Sequence, residues 1–231
     1  MKVLFVTEND PIYIYEFFKQ LIRKHDKNKF EVVGVTVLNA FNEPLIKTGI
    51  RLLKLYNIDF YKILLKYISL KFKRQNISNL LKSSGYKILT TKSVNSEEYL
   101  KKIKRLDLDL IISVASPEIF KSSIINVPKI CALNIHNGKI PEYRGMLPSF
   151  WQMKNKEKNI TITIHKIVEK LDSGDVVRTS LFPINKRDSL DRVMRETKRA
   201  GADLMLDTIN TFKDDPENIS FKPIDLSKSK L

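Results

Sequence analysis

Cysteine, glycine and long apolar runs are all scarce in this chain. Its 231 residues contain one cysteine, Cys131, which excludes an internal disulfide and a multi-cysteine metal site. No run of about 20 uninterrupted apolar residues occurs, so no membrane-spanning helix is predicted. The first apolar stretch is too short for the central region of a signal peptide. A lone cysteine within an apolar strand fits a reducing compartment, and we expect a cytoplasmic protein.

Glycine is also missing where dinucleotide-binding folds need it. Residues 7–11, which follow the first predicted strand, are Thr-Glu-Asn-Asp-Pro. Dinucleotide folds carry Gly-x-Gly-x-x-Gly at this turn, because glycine lets the backbone approach a pyrophosphate closely. Binding of a nicotinamide or flavin cofactor is therefore disfavoured.

The chain can still bury one sizeable core, since 42% of its residues are hydrophobic. Hydrophobic periodicity predicts strands at 3–6, 30–37, 86–89, 108–113, 130–135 and 160–167. Helices are predicted at 12–24, at 96–105 with a Ser96 cap, from Pro148, and at 188–212, with a helical turn near Pro117. This alternation predicts an α/β fold, a mostly parallel sheet with helices on both faces. We expect a main domain at 1–185 and a C-terminal helical extension at 186–231.

Three polar residues lie at the ends of two predicted strands. Asn134 and His136 close one strand, and Asp172 follows the other in a Leu-Asp-Ser-Gly-Asp turn. Each alone would be interpreted as structural, but an open sheet presents its ligand-binding groups at such strand ends, which favours a shared catalytic site. His25 and His165 are expected to be structural, because one lies in a charged helix tail and the other within a strand.

These residue types suit the transfer of an acyl group to an amine. The attacked carbonyl oxygen gains negative charge, and preset hydrogen-bond donors around it lower the barrier. We expect the Asn134 amide and a His136 imidazolium to supply those donors. Asp172 would keep His136 charged and relay the proton lost by the amine.

This combination resembles the folate-dependent formyltransferases, the family of methionyl-tRNA and glycinamide ribotide formyltransferases. The family's hallmark is Asn-x-His at a strand end, followed by an Asp in a Leu-Asp-x-Gly turn, and Asn134, His136 and Asp172 match it in order. The family's loop Leu-Pro-x-Tyr-Arg-Gly is similar to residues 140–145. The resemblance is good over about 107–177 and implies a Rossmann-like core and an N-formyltransferase.

The resemblance also implies 10-formyltetrahydrofolate as the cosubstrate that donates the formyl group. In the family, the pterin ring lies against the loop before the Asn-x-His strand and against the loop before the Asp. The matching positions are Ala115, Ser116, Pro117, Glu118, Ile119, Glu169, Lys170 and Leu171. No metal ligand is predicted.

The acceptor is expected to be the amine of a nucleotide-linked amino sugar for surface polysaccharide. Members that act on initiator tRNA carry a further C-terminal domain, whereas a short segment follows the Asp172 turn here. Members that act on glycinamide ribotide have a glycine-rich phosphate loop after the first strand, which residues 7–11 lack. Methionyl-tRNA and glycinamide ribotide remain the alternative acceptors. By resemblance to the sugar-directed members, the candidate acceptor contacts are Tyr143, Arg144, Gly145, Phe150 and Trp151.

A basic segment interrupts the strand–helix alternation at about 43–85 and contributes much of the net charge of +15. Its apolar residues recur at helical spacing, so a basic helical insertion is predicted. Three interpretations of this segment stay open. It is a helix that packs on the sheet with a solvated basic face, a binding site for phosphates or an anionic membrane surface, or a nucleic-acid binding surface. Nucleic acid is disfavoured, because no nucleic-acid motif accompanies the charge.

A noncatalytic membrane-surface binding protein on the same scaffold is the rival interpretation. The basic segment supports it, whereas the presence of Asn134, His136 and Asp172 counts against it. The sequence leaves open whether the chain forms a homodimer.

Overall fold

The computed structural model describes residues 1–39, 59–72 and 75–229, and its strands form one sheet. Seven strands are present in these ranges, in the order β3-β2-β1-β4-β5-β6-β7. They are β1 Lys2–Glu8, β2 Glu31–Leu38, β3 Ile88–Leu89, β4 Leu110–Val114, β5 Cys131–His136, β6 Asn159–Lys166 and β7 Val176–Pro183. The six predicted strands are confirmed, although β3 is only two residues long.

The sheet is parallel from β3 to β5 and antiparallel from β5 to β7. A parallel β6 would need a crossover that carries the chain back to the amino edge of the sheet. The intervening helix, Pro148–Lys154, has only seven residues, so β6 starts at the edge where β5 ends. β7 was not predicted, because it is an edge strand whose side chains are half-buried or exposed, and its hairpin loop is long.

Seven α-helices surround the described part of the sheet. They are α1 Ile14–Lys24, α2 Asp59–Phe72, α3 Ile77–Ser83, α4 Glu97–Lys104, α5 Ser122–Ile125, α6 Pro148–Lys154 and α7 Leu190–Asp214. The Ser96 cap of α4 is confirmed, since its side chain accepts a hydrogen bond from the backbone N–H of Tyr99. The helical turn near Pro117 is wrong, because the Ser116 hydroxyl binds the Glu118 N–H and holds a bend there.

Alternate residues of β1 pack into separate cores on the two faces of the sheet. Val3 and Phe5 join the core that contains α1, α3 and α7, whereas Leu4 and Val6 join the core that contains α4. All four side chains are fully buried, and burial of such a side chain contributes about 1.5–3 kcal/mol. The predicted fold, a mostly parallel sheet with helices on both faces, is therefore confirmed.

Helix α7, which was predicted as part of the C-terminal extension, packs on the same core as α1. Its N-terminus is capped by the Ser189 side chain, and it buries Val193, Met205 and Ile209. The N-terminal half of α7 thereby lies beside the carboxyl end of β5, close to the predicted catalytic residues.

The basic insertion is described only in part. Residues 40–58 and 73–74, with Lys47, Arg51, Lys54, Lys73 and Arg74, lie outside the described residues. Within 59–72 the insertion is helical, as predicted, and its exposed apolar side chains are Tyr61, Leu65, Tyr67, Ile68 and Phe72. No helix in the described ranges has the length and apolar character needed to cross a membrane.

Candidate active site

A cavity of about 570 Å³ opens at the carboxyl edge of the sheet, where β1, β4 and β5 end. Parallel α/β sheets bind their ligands at this edge. Asn134, His136 and Asp172 all line the cavity. The structure therefore brings the three predicted catalytic residues together.

The Asp172 carboxylate joins the two motifs. Its Oδ2 lies 3.6 Å from Nδ1 of His136 and accepts a hydrogen bond from the backbone N–H of Gly145 at 2.9 Å. Its Oδ1 accepts a long hydrogen bond of 3.4 Å from Nδ2 of Asn134. The turn that carries Asp172 requires Gly174, because a Cβ at that position would lie 2.0 Å from the Lys166 carbonyl oxygen.

The His136 ring has a fixed tautomer. Its Nε2 donates to the backbone oxygen of Tyr143 at 2.7 Å, so Nε2 carries a hydrogen in every protonation state. Burial lowers the pKa of His136, and this effect outweighs the opposing influence of Asp172. The direction of this pKa shift favours a neutral ring in the free site, with a lone pair on Nδ1, over the expected imidazolium.

Asp172 is the charged partner of that neutral ring. Burial opposes its ionisation, but its contacts with His165, His136 and the Gly145 amide outweigh burial and lower the pKa of Asp172 to about 2. The carboxylate is therefore ionised at neutral pH. An ionised carboxylate beside a neutral imidazole forms a proton-accepting pair.

His165 orients Asn134, a role that the sequence analysis missed. His165 is 2% exposed and its Nδ1 donates to the Lys166 carbonyl oxygen at 2.8 Å. Its Nε2 lies 3.1 Å from Nδ2 of Asn134 and 3.4 Å from Oδ1 of Asp172. The Asn134 amide nitrogen thus has two polar neighbours, and its long contact with Asp172 is the weaker one to exchange for a substrate oxygen. His25 is structural, as predicted, because its ring contacts Tyr86 and the Phe30 carbonyl.

The predicted donor-binding residues divide into two groups. The cavity is lined by Ala115, Ser116, Pro117, Glu118, Ile119 and Leu171. Pro117, Ile119 and Leu171 give this end apolar walls, which suit a flat pterin ring. Glu169 and Lys170 do not line the cavity. Glu169 instead accepts a hydrogen bond from the Ser122 N–H, since its chain turns toward the start of α5.

The predicted acceptor-binding residues also divide. Gly145 and Phe150 line the cavity, whereas Trp151 does not, and Lys154 lies over the Trp151 ring. The buried Tyr143 hydroxyl donates to Glu157, so this side chain supports the loop rather than facing a ligand. The Arg144 guanidinium donates to the Leu171 carbonyl oxygen at 2.9 Å and ties its loop to the Asp172 turn.

A charged cluster at the opposite end of the cavity was not predicted. It consists of Glu8 and Asp10, which follow β1, and Lys198 on α7. Asp10 accepts hydrogen bonds from the backbone N–H groups of Ile12 and Tyr13 at the start of α1. Glu8 and Asp10 lie in residues 7–11, which lack glycine, but nothing in the sequence predicts that this segment lies near Lys198.

Comparison with known proteins identifies the family. The sequence profile of the formyl transferase family matches residues 15–209, and the chain belongs to this family. Members of the family take the formyl group from 10-formyltetrahydrofolate. The apolar slot formed by Pro117, Ile119 and Leu171 beside Asn134 fits that cosubstrate.

Relatives in sequence and in structure differ in the acceptor that they name. Methionyl-tRNA formyltransferase of Limosilactobacillus fermentum is 28% identical over 64% of this chain and 49% of its own length. The enzyme of the same name from Pediococcus pentosaceus is 30% identical over 59% of this chain and 45% of its own length. The chain thus spans about half the length of these relatives.

Two solved structures share the fold. A sugar N-formyltransferase from Shewanella sp FDAARGOS_354 superposes with a TM-score of 0.60 and 22% identity, over 97% of this chain and 73% of that one. Phosphoribosylglycinamide formyltransferase from Bacillus halodurans superposes with a TM-score of 0.64 and 12% identity, over 96% of this chain and 100% of that one.

Proposed function

We propose that this protein transfers a formyl group from 10-formyltetrahydrofolate to the amine of a nucleotide-linked amino sugar used for surface polysaccharide. The observation that carries the proposal is the pairing of a neutral His136 with an ionised Asp172 beside the Asn134 amide, inside a cavity with an apolar end and a charged end. Such a site can position an amine against an acyl carbon and remove its proton.

Asn134, His136 and Asp172 have separate roles in the proposed formyl transfer. Asn134 donates an N–H to the oxygen of the formyl group when the long contact with Asp172 is exchanged. Nδ1 of His136 accepts the proton that the attacking amine loses. The resulting imidazolium lies beside the Asp172 carboxylate, which stabilises it electrostatically. As the bond between the formyl carbon and N10 of the donor breaks, the imidazolium returns this proton to N10, and tetrahydrofolate leaves. Burial excludes bulk water from this exchange.

Two features support an amino sugar over glycinamide ribotide. Residues 7–11 lack the glycines of a phosphate loop, and Glu8, whose pKa burial raises to about 7, repels a phosphate group above that pH. The likeness in fold covers 97% of the chain for a sugar N-formyltransferase and 96% for a phosphoribosylglycinamide formyltransferase, so the fold does not distinguish these two acceptors. Methionyl-tRNA is the alternative acceptor, in keeping with the names of the sequence relatives.

The test is a panel of acceptors assayed with 10-formyltetrahydrofolate. It includes thymidine and uridine diphosphate sugars that carry an amine at carbon 3 or carbon 4, glycinamide ribotide and methionyl-tRNA. We expect kcat/KM for one sugar nucleotide to exceed that for the other two acceptor classes by at least a factor of about 100, a typical cost of removing correct contacts. Preferential formylation of methionyl-tRNA or glycinamide ribotide would overturn the proposal.

We also propose an anionic membrane surface as a partner of the basic insertion. Helix α2 exposes Leu65 and Phe72 at 68% and 85%, within a segment of high positive charge. Basic helices with exposed apolar residues bind anionic lipid headgroups. A cytoplasmic location places the protein on the leaflet that carries anionic lipid. A homodimer is compatible with this arrangement and is tested by light scattering.

A further inference from the structure

At the charged end of the cavity, two side chains have no hydrogen-bond or ion-pair partner among the described residues. Glu8 and Lys198 are both half-buried and line the cavity. Within the described residues, neither side chain makes a hydrogen bond or an ion pair within 4.0 Å. Asp10 differs, because its carboxylate is occupied by the backbone N–H groups at the start of α1. Charges that are removed from water are normally paired, so Glu8 and Lys198 have unmet hydrogen-bonding capacity toward the cavity.

The helix that carries Lys198 is anchored to the loop just after His136. The preceding residue, Thr197, accepts a hydrogen bond of 2.7 Å from Nδ2 of Asn137, in the loop just after His136. The Asn137 backbone oxygen in turn accepts from Nε2 of Gln152 at 2.9 Å. Electrostatic influence of Lys198 reaches both Glu8 and His136. Glu8 and Lys198 therefore line the same cavity as His136, the residue proposed to accept the proton of the amine.

The chemistry of this pair selects a polar uncharged group. Glu8 accepts hydrogen bonds and Lys198 donates them, so a ligand that offers both O–H donors and oxygen acceptors satisfies the two together. Neighbouring hydroxyl groups of a sugar ring have this property. A phosphate group would gain from Lys198, but above the Glu8 pKa of about 7 it would meet an ionised carboxylate.

We propose that Glu8 and Lys198 form a hydroxyl-recognition subsite, which binds the sugar hydroxyl next to the acceptor amine and rejects a phosphate there. This inference rests on the proposed function, since it names the part of the amino sugar that the charged end recognises. It makes Glu8 and Lys198 residues that determine specificity, whereas His136 and Asp172 move the proton.

The first test needs no substrate. Because the Glu8 side chain has no hydrogen-bond partner in the described part of the chain, Glu8→Gln should raise the Tm of the unliganded protein at pH 8 by about 2 °C or more. The exposed Glu31 gives the matched control, Glu31→Gln, whose Tm should stay within about 1 °C of wild type. A lower Tm in Glu8→Gln would make Glu8 a structural residue and overturn the subsite.

The second test uses kinetics with thymidine diphosphate 4-amino-4,6-dideoxyglucose and its 3-deoxy analogue. Glu8→Gln and Lys198→Met should each raise KM for the parent sugar at least about tenfold and change kcat less than about threefold, with Lys186→Met as the exposed control. With wild type, kcat/KM should be about tenfold lower for the 3-deoxy analogue than for the parent sugar. With Glu8→Gln or Lys198→Met, the parent sugar and the analogue should have about the same kcat/KM. A variant that still loses about tenfold in kcat/KM when the hydroxyl is removed would overturn the subsite.

Failure of the proposed function gives a different pattern. If no sugar nucleotide is formylated, glycinamide riboside and its 5′-phosphate become the probes. The subsite then predicts that wild type prefers the riboside and that Glu8→Gln reduces this preference at least about tenfold. If neither compound is formylated, the Tm of Glu8→Gln decides the inference alone.

Discussion

Nδ1 of His136 lies 3.6 Å from Oδ2 of Asp172, while Nε2 of the same ring donates to the Tyr143 carbonyl oxygen at 2.7 Å. The separation of 3.6 Å is too long for a hydrogen bond. A proton that arrives between the two groups is attracted by both. The resting pair is therefore prepared to receive the proton that an attacking amine releases.

The first prediction concerns the protonation of His136. Burial lowers its pKa, so NMR titration should place the His136 Cε1–H transition below the ordinary histidine value of 6.5. Asp172→Asn should move the transition lower still, because Asp172 is the neighbour that raises the pKa. Assignment is simple, since the chain has three histidines, and His25→Gln removes one signal. A transition above 6.5 in wild type would restore the imidazolium mechanism.

The second prediction concerns catalysis. Alanine at Asn134, His136 or Asp172 should each lower kcat at least about a hundredfold, which is the scale of removing one donor to a developing oxyanion. His165→Gln should cost about 10–100-fold, because that ring orients Asn134 rather than contacting the substrate. His25→Gln serves as the control and should retain wild-type turnover. Steady-state assays that find His136→Ala nearly as active as wild type contradict the assigned proton transfer.

The third prediction concerns stability against pH. Burial, with a contribution from Asp10, raises the pKa of Glu8 from 4.5 to about 7. A raised pKa in the folded state means that the folded protein binds this proton more tightly than the unfolded chain. The stability that Glu8 contributes is therefore complete below pH 4.5 and is lost as pH rises through about 7.

Urea denaturation between pH 4 and pH 8 measures this effect. The difference in free energy of unfolding between Glu8→Gln and wild type should grow with pH across that range, in favour of the variant. The Glu31→Gln control should show no such trend. A difference that is constant with pH would place Glu8 in a water-like environment.

The fourth prediction concerns the basic insertion. Vesicles with anionic lipid should sediment the protein at low salt and release it as salt rises, because each basic residue near the surface contributes about 1 kcal/mol and is screened beyond a Debye length. Neutral vesicles should not bind. Four reversals to glutamate, at Lys62, Lys66, Lys71 and Lys73, should abolish sedimentation and leave formyl transfer intact.

The matched control changes the same charge elsewhere. Reversal of the exposed Lys92, Lys101, Lys102 and Lys121 gives the same net charge, outside the insertion. This variant should still sediment with anionic vesicles, if more weakly. Equal loss of binding in both variants would mean that overall charge, rather than the insertion, attracts the protein to the membrane.

Much of the fold was predictable, because its strands are continuous apolar runs and its helices carry local caps such as Ser96. β7 and the antiparallel edge were not, since they depend on a short α6 and on exposed edge residues. The sequence predicted the convergence of Asn134, His136 and Asp172, since two motifs each ended a strand.

The protonation of the site was harder to predict than its composition. The charge of His136 depends on its burial and on its contact with the Tyr143 carbonyl oxygen, and neither can be predicted from the Asn-x-His motif. Lys198 lines the same cavity as Glu8 only because α7 packs over the ends of β1 and β5. Such a tertiary arrangement cannot be predicted from local sequence patterns. His165 was interpreted as structural, because its position within a predicted strand does not show that its side chain lies beside Asn134.

The contact between the Arg144 guanidinium and the Leu171 carbonyl links the predicted acceptor side of the site to the predicted donor side. Arg144 is one of the predicted acceptor contacts, whereas Leu171 is a predicted donor contact that lines the cavity and precedes Asp172. A ligand that draws Arg144 away from Leu171 alters the slot, and a ligand that fixes Leu171 alters the position of Arg144. By thermodynamic reciprocity, each of the two reactants must then change the dissociation constant of the other by the same factor.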